Sequence, residues 1–109
     1  RRQILALAFG LAGCSGGQRV RVGSKNFTEQ LILGELLALH VERKTGREAA
    51  RRLNLGGTLV ATKALQSGSL DLYPEYTGTA LSAVLKEDLA GDASAILARV
   101  RKAYREQYA

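Results

Sequence analysis

Lys25, Phe27, Tyr73, Tyr76 and Thr79 are the residues of this chain whose types and spacing could do chemistry together. A lysine ammonium and a threonine hydroxyl donate hydrogen bonds to an oxyanion, and an aromatic face attracts a cation with about 0.5–2 kcal/mol per ring. Each also has an ordinary reading: Tyr76 and Tyr73 as packing residues, Lys25 as a solvated loop lysine, Thr79 as a helix cap. Gly56-Gly57 ahead of Thr58 forms either an anion-binding nest or a plain tight turn. Covalent chemistry finds less. His40 is the one histidine and falls within an apolar segment without an evident partner, which suits a packed or partly exposed residue. Glu29 and Glu35 are six residues apart on one expected helix, a spacing that does not bring two carboxylates onto one face. No His/Cys cluster has metal-ligand spacing, so no enzyme, metal site or cofactor is expected.

These residues lie in the connections of an alternating pattern. Residues 18–23 alternate polar and apolar side chains, the period of a strand with one buried face. Asn26 with Glu29 resembles a capping box ahead of an apolar-rich helix over 27–41, which Gly46 stops. A short, Arg-rich strand is expected within 48–55. Gly56-Gly57-Thr58 then opens a second helix that ends near Ser67-Gly68. Residues 70–73 form a brief strand halted by Pro74, which cannot donate to a ladder. Helices over 79–85 and about 92–108 complete the chain. Strands alternating with helices predict an α/β arrangement with at least partly parallel strands. Ligands in such sheets bind beyond the carboxyl ends of the strands, so residues 24–30, 56–58 and 75–79 should converge on one edge.

The whole chain has 109 residues, which fits one domain at most, and 46% hydrophobic with 24% charged residues is a globular balance. Its start is different in kind. Arg1-Arg2-Gln3 precedes an apolar run from Ile4 to Leu11, too short for a bilayer span of about 20 residues. Basic start, apolar run and small residues are the order of a secretory signal. Leu11-Ala12-Gly13-Cys14 resembles a bacterial lipobox, whose cysteine is lipidated and becomes the first mature residue. The expected division is a signal peptide over 1–13, a lipidated Cys14 with its linker over 14–17, and a folded part over 18–109. A buried hydrophobic strand with an incidental cysteine is the ordinary alternative. One cysteine excludes an internal disulfide. The formal charge of +6 falls to +4 without residues 1–13. Arg43, Lys44, Arg47, Arg51 and Arg52 lack interleaved aromatics to stack bases, so a solvated face is expected rather than a nucleic-acid surface.

Three segments carry a resemblance: Gly23-Ser24-Lys25-Asn26-Phe27-Thr28-Glu29-Gln30, Leu53-Asn54-Leu55-Gly56-Gly57-Thr58 and Tyr73-Pro74-Glu75-Tyr76-Thr77-Gly78-Thr79. In this order they resemble the extracytoplasmic substrate-binding proteins of ABC transporters for glycine betaine, choline, carnitine and related osmoprotectants, over roughly Val20 to Leu85. The resemblance implies an α/β, two-lobed periplasmic-binding-protein fold of type II, of which this chain matches part of the first lobe. It implies a cage role for Tyr76, polar solute contacts for Lys25 and Thr79, and a further contact position for Gln30. A non-enzymatic receptor follows, held in the cell envelope outside the cytoplasm by lipid on Cys14, with a quaternary amine as ligand and an ABC permease as partner. A quaternary ammonium has no N–H to donate, so ring faces or carbonyl oxygens must surround it. A short lipoprotein acting as an interaction or envelope module, without a small-molecule ligand, is the alternative from another class.

Overall fold

A computed structural model of the chain describes residues 17–108. The expected signal segment and Cys14 lie outside the described residues. Strand β1 (Val20–Gly23) pairs in parallel with β2 (Ala49–Arg52), Val20 opposite Ala49 and Gly23 opposite Arg52. A parallel pair needs a crossover, and helix α1 (Thr28–Thr45) supplies it. The face of α1 that is buried carries Gln30, Gly34 and Ala38, four residues apart and one helical turn from each other. Gly46 ends the helix at φ 68°, donating its N–H to Glu42 O at 2.9 Å. Only glycine enters that left-handed conformation without a Cβ penalty.

The capping box expected at Asn26 does not form. Phe27 is the N-cap, and no side chain caps the helix. The Asn26 N–H instead donates to Gly56 O at 3.0 Å, and Glu29 turns toward Tyr76. Bonds to distant parts of the chain therefore replace the local cap. Helix α2 (Thr58–Gln66) follows β2 with Gly57 as its N-cap.

The third strand is shorter than its sequence predicts. Residues 70–73 contribute one parallel bridge, Val22 to Leu72, on the side of β1 away from β2. Asp71 N donates to Arg21 O at 2.9 Å and Gly23 N to Leu72 O at 2.9 Å. The Arg21 N–H is taken by the Asp71 side chain at 2.7 Å, and Pro74 removes the next backbone donor. The ladder stops there. Helix α3 (Thr77–Thr79) runs straight into a π-helical turn (Ala80–Val84), in which Leu85 N reaches Ala80 O, five residues back, at 2.9 Å. Helix α4 (Ala93–Tyr108) begins with Asp92 Oδ1 accepting the Ala95 N–H at 2.9 Å.

Val22, Ala38 and Ala49 form the buried centre, with Val20, Leu37, Val41 and Leu72 packed around them. Leu70, Ala61, Ala80 and Leu81 are buried as well. Among the described residues no helix is long and apolar enough to cross a membrane.

Candidate functional site

Strand β1 leads into a tightly fixed connection. Ser24 is fully buried; its Oγ donates to Lys25 O at 3.1 Å and accepts the Asn54 N–H at 3.0 Å. Leu55 N donates to Ser24 O at 3.1 Å. Asn54 adopts φ 60°, a conformation asparagine tolerates better than most residues. These bonds tie the connection after β1 to the one after β2, and Gly56 joins them by accepting the Asn26 N–H at 3.0 Å.

Lys25 is the centre of the arrangement and only 3% exposed. Its N–H donates to Gln30 Oε1 at 3.1 Å. Its ammonium donates to Thr58 Oγ1 at 3.2 Å and to Glu75 Oε1 at 2.5 Å. One side chain thus joins the connection after β1, the start of α2 and the connection after the third strand. The expected convergence on one edge is what the chain does.

Glu75 is fully engaged. Its Oε1 also accepts the Tyr76 N–H at 2.9 Å, and its Oε2 accepts the Tyr73 hydroxyl at 3.0 Å. Thr62 Oγ1 lies 3.0 Å from that hydroxyl. Burial pushes the Tyr73 phenol well above its ordinary range, with the Glu75 carboxylate adding to the rise. Buried charges persist where they are paired and hydrogen-bonded, and this pair meets both conditions.

Two aromatic rings bound the cluster. The Lys25 ammonium is 4.9 Å from the Tyr76 ring centroid and 5.6 Å from that of Phe27, within the roughly 6 Å at which a ring face attracts a cation. The two rings stack, with centroids 6.2 Å apart and planes at 18°. Phe27 is 44% exposed, so solvent reaches this face. The Tyr76 hydroxyl donates to Glu29, and that bond raises its pKa. Gln30 is fully buried, and its Nε2 has no hydrogen-bond partner among the described residues. A buried donor without an acceptor is an exception in folded proteins.

Three of the four solute-contact positions implied by the resemblance, Lys25, Gln30 and Tyr76, therefore meet in one cluster. Thr79 is partly buried one turn beyond Tyr76, where α3 gives way to the π-helical turn. Glu75 and Thr58 are the partners that sequence reasoning missed. Both stood inside the quoted segments, but nothing in spacing reveals an ion pair across fifty residues. His40 is exposed. Arg51 pairs with Glu35 and Glu42, as a solvated face would. No group of three metal-ligating side chains occurs among the described residues. A cavity of about 640 Å³ lies between α2 and α4 and meets the cluster at Tyr73 and Thr62.

The family described as the substrate binding domain of ABC-type glycine betaine transport systems matches residues 18–109. A carnitine transport binding protein of Listeria monocytogenes is 34% identical over 100 residues, covering 91% of this chain and 32% of its own. A glycine-betaine-binding protein of Pseudomonas aeruginosa is 37% identical over 91 residues, covering 84% of this chain and 29% of its own. The solved structure of apo YehZ from Escherichia coli superposes with a TM-score of 0.73 at 34% identity, over 84% of this chain and 33% of that one. The chain spans about a third of the length of these relatives. Its α/β architecture is part of a periplasmic-binding-protein fold, and the chain belongs to the family of substrate-binding domains of glycine betaine ABC transport systems.

Proposed function

We propose that this chain is the N-terminal part of an extracytoplasmic receptor that captures a quaternary-amine osmoprotectant, such as glycine betaine, choline or carnitine, and delivers it to an ABC permease. The observation that carries this reading is the cation held against Tyr76 and Phe27, with Nζ at 4.9 and 5.6 Å from their centroids. Ring faces placed to attract one cation suit the approach of another whose nitrogen has no proton to donate. Tyr76 is read as a wall of the cage. Thr79, the free Gln30 Nε2 and the remaining donor of Lys25 are read as contacts for a carboxylate or hydroxyl on the ligand.

Two rings supply about 1–4 kcal/mol at the magnitudes above, whereas micromolar affinity needs roughly 8 kcal/mol. The reading therefore calls on a second lobe to complete the cage and close over the ligand. Capture and release need no covalent step. Residues 1–13 are read as a signal peptide and Cys14 as the lipid attachment, from the basic start, apolar run and lipobox-like Leu11-Ala12-Gly13-Cys14; two or more acyl chains there would hold the protein stably at a membrane. Isothermal titration of the full-length gene product with glycine betaine, choline and carnitine tests the ligand class, and failure of all three to bind removes it. Cys14→Ser should shift the protein from the membrane to the soluble fraction.

A further inference from the structure

We propose that Glu75 is a specificity-determining residue: through its buried ion pair with Lys25 it sets the charge that a ligand meets at the Tyr76 and Phe27 rings. This inference rests on the ligand class proposed above. A cation bound to these rings must come within about 6 Å of their centroids, where the Lys25 ammonium already stands. Two uncompensated positive charges so close together repel each other. Glu75 supplies the compensation at 2.5 Å, with the two side chains 4% and 10% exposed.

The pair thus presents a near-neutral wall. That wall admits a ligand with a net positive charge, such as choline, beside a zwitterion such as glycine betaine. Without the carboxylate the same wall carries an unbalanced ammonium, which repels choline and still attracts the carboxylate of glycine betaine. Glu29, the other carboxylate at the rings through the Tyr76 hydroxyl, is common to every variant in the test and so cancels from the comparison. Glu75 is a positioning and charge-setting residue here, acting through Lys25.

Glu75→Gln keeps the shape and an amide oxygen that can still accept from Lys25 and from the Tyr76 N–H. In the full-length protein, isothermal titration of this variant should show choline affinity falling about tenfold or more, and the glycine betaine to choline preference rising by at least about the same factor. The double variant Lys25→Met/Glu75→Gln removes both charges and the Lys25 contact with either ligand, so its absolute affinities fall, but its glycine betaine to choline preference should drop at least about tenfold below that of Glu75→Gln. It also serves where the single variant does not fold. A preference unchanged within twofold in Glu75→Gln, or a folded double variant whose preference stays as high as that of Glu75→Gln, overturns the inference. A wild-type protein that binds neither ligand overturns the reading of the site itself.

Discussion

Gly34 approaches Ser24 so closely that a side-chain carbon added at Gly34 would stand 2.9 Å from the Ser24 Cβ. The same carbon would lie 2.8 Å from Leu53 Cδ2 and 3.3 Å from Gly23 O. Leu53 could turn aside, but Ser24 is buried and fixed by its bonds to Lys25 and Asn54. Gly34→Ala sets two effects against each other. Helix propensity favours alanine by about 1 kcal/mol, while overpacking costs about 1–3 kcal/mol. With backbone and a fixed serine as neighbours the second effect wins. Urea unfolding should show a lower midpoint for Gly34→Ala at unchanged slope, and a midpoint equal to or above wild type would refute the close-packing account.

The same contact shows where the sequence was legible. The order of elements, the parallel β1–β2 pair, the Gly46 stop and the meeting of three connections all followed from periodicity, turn residues and the rules of α/β sheets. The buried face of α1 did not. Ile32, Leu36 and Leu39 are about half exposed, whereas Gln30, Gly34 and Ala38 are buried, so a glutamine and two small residues mark the innermost stripe. Close approach at Gly34 selects a small residue there, and hydrophobicity alone finds only the flanking Leu37 and Val41 that pack against the core. Lys25, Gln30 and Tyr76 were placed together by resemblance. Glu75 stayed hidden because its role is a tertiary contact with no local signature.

The edge of the sheet depends on a charged clasp. Asp71 accepts Arg21 N at 2.7 Å, Nε at 3.1 Å and Nη2 at 2.9 Å. The Arg21 side-chain hydrogen bonds, followed by its backbone N–H, hold the Asp71 carboxyl below the usual carboxylate range. A depressed folded pKa means that the contribution is complete above the unfolded value of about 3.9 and disappears as pH falls through the folded value. The pair is more than a third exposed, so Asp71→Asn should cost only about 1 kcal/mol near neutral pH. Unfolding curves of wild type and variant should draw together below about pH 4; a constant gap down to acid pH would contradict the clasp.

The rings offer a cleaner separation of roles. Tyr76→Phe keeps the face toward Lys25 and loses only the hydroxyl bond to Glu29. Tyr76→Ala loses the face itself. In the full-length protein, Tyr76→Ala should weaken quaternary-amine binding by about 0.5–2 kcal/mol, while Tyr76→Phe stays within a few tenths. Phe27→Ala, which removes the stacked neighbour, should fall between them. Equal losses for Tyr76→Phe and Tyr76→Ala in titration calorimetry would assign the effect to the hydroxyl instead.

Removing one member of a buried ion pair is a different perturbation from removing both. Lys25→Met leaves the Glu75 carboxylate 10% exposed, with the Tyr73 hydroxyl and Tyr76 N–H as its remaining donors. A buried charge stripped of its counter-ion costs about 3–5 kcal/mol, whereas replacing a whole pair by neutral groups of similar volume is often nearly neutral. Lys25→Met alone should therefore destabilise the fold strongly, and adding Glu75→Gln should return most of the loss. Denaturant unfolding of both single variants and the double variant measures the coupling directly. Additive losses, with no recovery in the double variant, would mean that Lys25 and Glu75 stabilise the three connections independently rather than as one pair.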